Sequence, residues 1–360
     1  MIKNNGLKID DLQSKLPIIQ GGMGIGISGS NLAAAVAEEG AIGVISSVGL
    51  CALNTDSTID NKTASKEMLK EEIRRAKTIT KGILGVNIMV AVSNFDELVN
   101  ISVEEKADLI IIGGGLPLKN PVRKLGKIKT KILLKVSSAR AANLVFKLWE
   151  KNHSDIPDGV VVEGPMAGGH LGFKPEELDS PQNKLERLIP EVIQAVIPFR
   201  NKFKKDIPVI AAGGIYTGAD MCKFMKLGAN AVKMATRFVA TKECDASDEF
   251  KQAYINCKKE DIGIIQSPVG LPGRVIINDF TKKIVAGYKK PFNCPWQCLK
   301  NCNYKTAPYC ISMALANAKR GNLKEGFVFA GANAYLVDKI VSVKELIKTI
   351  MYEYNAACNI

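Results

Sequence analysis

IPVIAAGGIYTGADMCKFMKLGANAVKMATRF, residues 207–238, contains two short apolar runs, one near Ile210 and one near Val232, each ending in small residues: Gly213-Gly214 and Ala235-Thr236. Runs that are apolar on both faces are what parallel strands covered by helices require. Upstream the same unit recurs six more times: PIIQGGM (17–23), AIGVISSVG (41–49), GILGVNIMV (82–90), ADLIIIGGG (107–115), KILLKVSS (131–138) and GVVVEG (159–164). Between them lie segments able to carry an apolar stripe at helical period, including SNLAAAVAEEG (30–40), KEMLKEEIRRAK (66–77) and ARAANLVFKLWEK (139–151). The fourth crossover, LPLKNPVRKLG (116–126), is short and broken by Pro117 and Pro121, so a helix is least expected there. Eight alternating units in about 240 residues suit an α/β fold of the (β/α)8 TIM-barrel type better than a doubly wound sheet, which usually stops at five or six parallel strands.

Past the eighth run the alternation stops. SDEFKQAYINCKK (247–259), SPVGLPGRVIINDF (267–280) and the cysteine-bearing PFNCPWQCLKNCNYKTAPYC (291–310) read as a smaller appended helical lid, and SVKELIKTIMYEYN (342–355) as an amphipathic helix packing on the barrel. The expected organisation is barrel over 1–240, lid with its Cys-rich segment over 241–330, and a C-terminal segment with its helix over 331–360.

Composition narrows the function classes. The chain of 360 residues is 46% hydrophobic and 24% charged, without a long uninterrupted apolar segment, so it can bury a core but has no expected bilayer span. Its N-terminus lacks an apolar leader core, which predicts a cytoplasmic protein. The net charge of +13 is spread over helix-like stretches and short patches such as FRNKFKK (199–205), so solvated helix faces, not a nucleic-acid surface, account for it. Nine cysteines in such a chain predict free thiols or a metal site over a disulfide framework.

In a (β/α)8 barrel the chemistry lies at the C-terminal strand ends. Those ends carry Gln20-Gly21-Gly22-Met23, Ser46-Ser47, Asn87, Gly113-Gly114-Gly115, Lys135 with Ser137, Glu163 through His170, Gly213-Gly214, and Met234-Ala235-Thr236-Arg237. Small residues at two consecutive strand ends, the seventh and eighth, expose unpaired backbone N–H groups suited to a phosphate-bearing ligand. On the sixth, Gly168 and Gly169 let backbone approach a planar ligand while His170 projects into the same space, able to exchange a proton near neutral pH. His153, at a helix end, reads as a solvated surface residue.

Taken in order, PIIQGGMG (17–24), GVNIMV (85–90), EGPMAGGHLG (163–172), PVIAAGGI (208–215) and TRF (236–238) resemble the nitronate monooxygenase family, formerly 2-nitropropane dioxygenases, and the related flavin-containing enoyl-acyl-carrier-protein reductases, over roughly residues 14–285. The resemblance implies FMN held near Gly22, Met23, Asn87, Glu163 and Gly168, with its phosphate at Gly214 and Ala235-Thr236; Lys135, Gly169, Gly213 and Met234 complete the expected cofactor-binding set. It implies His170 as the base that takes the α-proton of a nitroalkane, nitronate oxidation through a flavin semiquinone, and reoxidation by O2. Several residues depart from the nitronate-oxidising pattern: Glu163 stands where those members carry glutamine, Met166 where they carry an acid, Ala235 replaces a glycine and Pro165 is unusual; Glu163 and the TRF ending are features of the reductase branch. That branch implies NAD(P)H as reductant, an enoyl thioester as substrate and an acyl carrier protein as partner. A non-catalytic FMN sensor is the alternative of another class. Oligomeric state is not legible. Cys294, Cys298 and Cys302, spaced by four, would share one helix face with Cys310 nearby; zinc or an iron–sulfur cluster is conceivable on these four thiols, but the spacing fits neither the common zinc knuckles nor the ferredoxin run and no metal ligand is assigned.

Overall fold

The computed structural model describes residues 6–54, 60–126, 128–294 and 297–359. Eight parallel strands form one sheet: β1 (Ile18–Gln20), β2 (Gly43–Ser46), β3 (Leu84–Met89), β4 (Leu109–Gly113), β5 (Lys131–Val136), β6 (Gly159–Glu163), β7 (Val209–Ala212) and β8 (Ala231–Met234). Each pairs with its sequence neighbour, and β8 returns to β1 with Lys233 opposite Ile19. Between β1 and β2 a parallel bridge at Ile19 and Ile42 closes the circle, with Gln20 N donating to Ile42 O at 2.9 Å. The fold is a TIM barrel.

Strand alternation divides the side chains into two shells. Ile19, Val44, Leu109, Ile111, Leu133, Val161, Ile210, Ala212 and Ala231 fill the barrel interior as one cluster. Their neighbours along each strand, among them Ile110, Leu134, Val160, Val162, Ala211 and Met234, face outward into the larger core beneath the helices. Those helices are α1 (Ser30–Glu38), α2 (Asn61–Ile79), α3 (Phe95–Glu104), α4 (Ala139–His153), α5 (Leu185–Phe203) and α6 (Gly218–Lys226).

No α-helix follows β4; the crossover with its two prolines makes only a 3-10 turn at Arg123–Leu125. Trp149 of α4 takes up the space, 1% exposed, its indole N–H donating to Pro117 O at 2.8 Å. Trp149→Ala should therefore cost about 3–5 kcal/mol, the usual penalty for truncating a buried tryptophan. Urea unfolding monitored by circular dichroism checks this; a midpoint equal to wild type would show that the loop holds itself.

After β8 come α7 (Thr236–Val239) and α8 (Asp248–Ile255), then the lid. The lid is not purely helical as expected. β9 (Ile262–Gln266) and β10 (Pro272–Ile276) form an antiparallel hairpin, extended by β11 (Val328–Phe329) and by the two-residue strand Gly169–His170 from the barrel loop. Two short helices, α9 (Asp279–Val285) and α10 (Ile311–Lys319), cover it, with Phe280, Tyr309 and Phe327 at its small core. The terminal helix α11 (Val343–Cys358) packs on α6 and α1. Gly218 sits against the backbone of Ile350 and Tyr354, and a disulfide joins Cys222 to Cys358. That bond departs from the all-thiol expectation; the other seven cysteines are free. Among the described residues no helix is long and apolar enough to cross a membrane.

Candidate functional site

The inward alternation that fills the barrel with aliphatics ends, at the mouth, in polar residues. Lys135 on β5 and Glu163 on β6 form an ion pair at 2.9 Å, both largely shielded from water. Asn87 on β3 is buried and lies directly against Gly22 after β1.

From Glu163 the chain turns through Gly164-Pro165-Met166 and re-emerges as the strand Gly169–His170, where Gly169 adopts φ +77° with open space on its Cβ side. Pairing with β10 sets His170 opposite Gly273 and Gly169 opposite Arg274. His170 Nε2 lies 2.8 Å from the buried Ser267 hydroxyl, and its ring packs edge-on against Phe329 at 5.0 Å. Nδ1 has no protein partner among the described residues. Burial, with the Lys135 ammonium adding repulsion, holds the His170 pKa down at about 4, so the ring is neutral at physiological pH. Arg274 reaches the other way, donating to Pro165 O at 2.9 Å and so pinning the β6 loop to the lid.

The turns after β7 and β8 converge as well. Gly213 (φ +94°) and Gly214 (φ +83°) lie against Gly164 and Met166, Ala235 faces Gly21, and Thr236 approaches Gly331. Across them runs Ala330–Asn333, held by Ala332 N to Met166 O at 3.0 Å and Asn333 Nδ2 to Gly214 O at 2.7 Å.

The mouth thus brings together Gly22, Asn87, Lys135, Glu163, Gly169 and His170, with Gly213, Gly214, Ala235 and Thr236 on the adjoining turns. Three of the expected residues also have structural roles. A Cβ on Gly168 would lie 2.6 Å from Ala330 C and Gly331 N, so its lack of a side chain serves the packing of chain on chain. The Met234 side chain points out into the helix-covered core, leaving only its carbonyl, which accepts from Gly21 N at 2.7 Å. Met23 is half-buried against the outer core, its N–H donating to Ser28 Oγ at 2.8 Å. His153 is no plain surface group: Nδ1 sits 2.8 Å from an Arg123 nitrogen, and Nε2 is buried without a partner.

The cysteine segment does not form a helix over 297–303. It runs across the loop after β3, with Ser93 N donating to Cys298 O at 3.1 Å and Lys300 N to Ala91 O at 2.9 Å, and Gln297 takes φ +44°. Cys294, Cys298 and Cys302 therefore share no helix face. Burial pushes Cys51 up to about 12 and Cys310 to about 11, so these thiols stay protonated. Among the described residues no three of His, Cys, Asp and Glu stand close enough to hold a metal ion.

Sequence reasoning missed Ser267, Phe329, Arg274, Gly331 and Asn333, which reach the site from the lid, and Lys233 within β8. Only Lys233 carried a local signal, a charge at an inward position of an apolar strand.

The family profile described as nitronate monooxygenase matches residues 5–98 and 61–353. The chain belongs to the nitronate monooxygenase family. Among family relatives, a probable nitronate monooxygenase of Staphylococcus saprophyticus is 25% identical over 97% of this chain and 97% of its own length. The 5-hydroxy-7a-methyl-1-oxo-octahydro-1H-indene-4-carboxyl-CoA dehydrogenase of Rhodococcus jostii is 27% identical over 74% of this chain and 64% of its own length. The structure of FabK from Thermotoga maritima superposes with a TM-score of 0.74, 29% identity, 95% of this chain and 94% of that one. As a member of the nitronate monooxygenase family the chain is an enzyme, a flavin-dependent oxidoreductase, and not a passive sensor.

Proposed function

We propose that this protein is an FMN-dependent nitronate monooxygenase in which His170 takes the α-proton of a neutral nitroalkane. The observation that carries the reading is the neutral His170 at the barrel mouth, fixed through Nε2 by Ser267, with Nδ1 unpartnered. With Nε2–H donating to Ser267, Nδ1 keeps a lone pair for the substrate proton.

FMN fits the mouth on this chain's own residues: glycine turns with left-handed backbone where the phosphate would lie, and a polar floor of Asn87, Lys135 and Glu163 for the ring. When bound, FMN supplies the electron acceptor that O2 then regenerates. The chain itself orients substrate, removes a proton and limits water through the Ala330–Asn333 and Phe329 cover. Anaerobic mixing of the purified holoenzyme with propyl-2-nitronate should bleach the flavin; a flavin left yellow would remove this activity.

The depressed His170 pKa has a pH consequence. A solvated histidine would lose half its base form near pH 6.5, whereas here the imidazole stays unprotonated until pH approaches about 4. kcat/KM for a nitroalkane should accordingly show no His-like fall between pH 8 and 5.5. An acid limb centred near 6.5 would mean that another group is the base.

A second reading, NAD(P)H-driven reduction of an enoyl thioester, is favoured by Glu163 with Thr236-Arg237-Phe238 and by the likeness to FabK across 95% of the chain. Crotonyl-thioester-dependent NADH oxidation would establish it, and would bring an acyl carrier protein into play as a partner; a flavin that neither NADH nor NADPH reduces would exclude it. A cytoplasmic setting is part of the proposal.

A further inference from the structure

Lys233 sits where an aliphatic side chain would be expected. It follows Ala231 by two along β8, so it faces the barrel interior as Ala231 does, and the strand register sets it level with Ala212, which is in turn level with Glu163. The residue is only 9% exposed. Among the described residues its ammonium makes no hydrogen bond and no ion pair. The one carboxylate near it, Glu163, is already engaged by Lys135 at 2.9 Å. Lys233, Lys135 and Glu163 together carry two positive charges and one negative, a surplus of one positive charge within this group.

A buried ammonium without a counter-charge costs several kcal/mol, and such a group is retained where a bound partner supplies the opposite charge. Burial and the Lys135 charge pull the Lys233 pKa down to about 8, which leaves it mostly protonated at neutral pH. The phosphate turns are not its target, because Gly213-Gly214 and Ala235-Thr236 lie beyond the strand ends while Lys233 points inward beneath the mouth. What lies over the mouth, on the reading above, is the flavin ring. A ring that has gained two electrons and one proton carries one negative charge.

We propose that Lys233 is the counter-ion of the reduced flavin ring, a positioning residue that raises the reduction potential of the bound FMN. The inference rests on the FMN reading, which is tested first: wild-type protein that stays colourless with excess FMN ends that reading before any variant is made. Given a yellow holoenzyme, midpoint potentials are measured at pH 7 by equilibration with a reference dye for wild type, K233R, K233M and K233Q. Removing a unit charge this close to the ring should lower the equilibrium constant for two-electron reduction at least about tenfold in K233M and K233Q, about 30 mV to the negative side. K233R should stay within about threefold of wild type. Neutral variants that bind FMN at the wild-type potential would overturn the proposal. So would neutral variants with weakened FMN binding but an unshifted potential, which would place Lys233 on the phosphate. Loss of folding in both neutral variants with K233R intact would assign the ammonium to the fold and overturn it equally.

Discussion

His170→Ala should keep its flavin and lose about a hundred- to ten-thousandfold in kcat/KM with neutral nitroalkanes, the range typical of removing a positioned general base. With preformed nitronates the fall should be much smaller, because the proton is already gone. Oxygen uptake with each substrate, alongside the flavin absorbance per chain, separates the two effects. The split is expected because His170 is anchored through Nε2 by Ser267 and by its ring contact with Phe329, which leaves Nδ1 without a protein partner among the described residues. Equal losses with both substrates would mean the imidazole does something other than take the proton, and loss of the flavin itself would make it structural.

The second large effect concerns the fold of the cradle. Gly213→Ala should destabilise the protein and yield mostly colourless preparations even with excess FMN. At φ +94° an L-residue is strained by roughly 1–2 kcal/mol. The added Cβ would also stand 2.9 Å from Gly164 O and 3.2 Å from the amides of Gly164 and Ala167. All three are backbone atoms, so none can swing aside; the β6 loop would have to move, carrying the approach to His170 with it. Thermal unfolding and flavin content test this together. A variant with wild-type melting and full flavin would show that the turn has slack.

Much of the barrel was legible because its signal is local. Each strand is a run of apolar residues such as LIIIG at 109–113, and each strand end is marked by a change to Gly, Ser or Asn. The prolines of the fourth crossover likewise foretold the missing helix. The lid was misread because its sheet is assembled from distant pieces: Gly169–His170 pairs with residues about a hundred positions later, and two residues carry no periodicity. The cysteine spacing of four suggested a helix, but contacts with the loop after β3 took the segment's backbone hydrogen bonds instead.

Within the site, the backbone-rich turns were legible from composition, whereas side-chain direction depends on which face of each strand turns inward. Alternation along β8 sends Lys233 in and Met234 out. Ser267, Phe329 and Asn333 had no comparable signal, because nothing in their own neighbourhoods ties them to the barrel mouth.

Because the imidazole belongs to a strand shared between barrel loop and lid, one backbone pairing holds both the cover and the candidate base. Loss of that pairing would free Gly169–His170 from Gly273 and Arg274 and part the imidazole from Ser267. On the proposed reading, a flavin without that cover would also lack a fixed base beside it. On the same reading, proton abstraction would need the lid in place over the site.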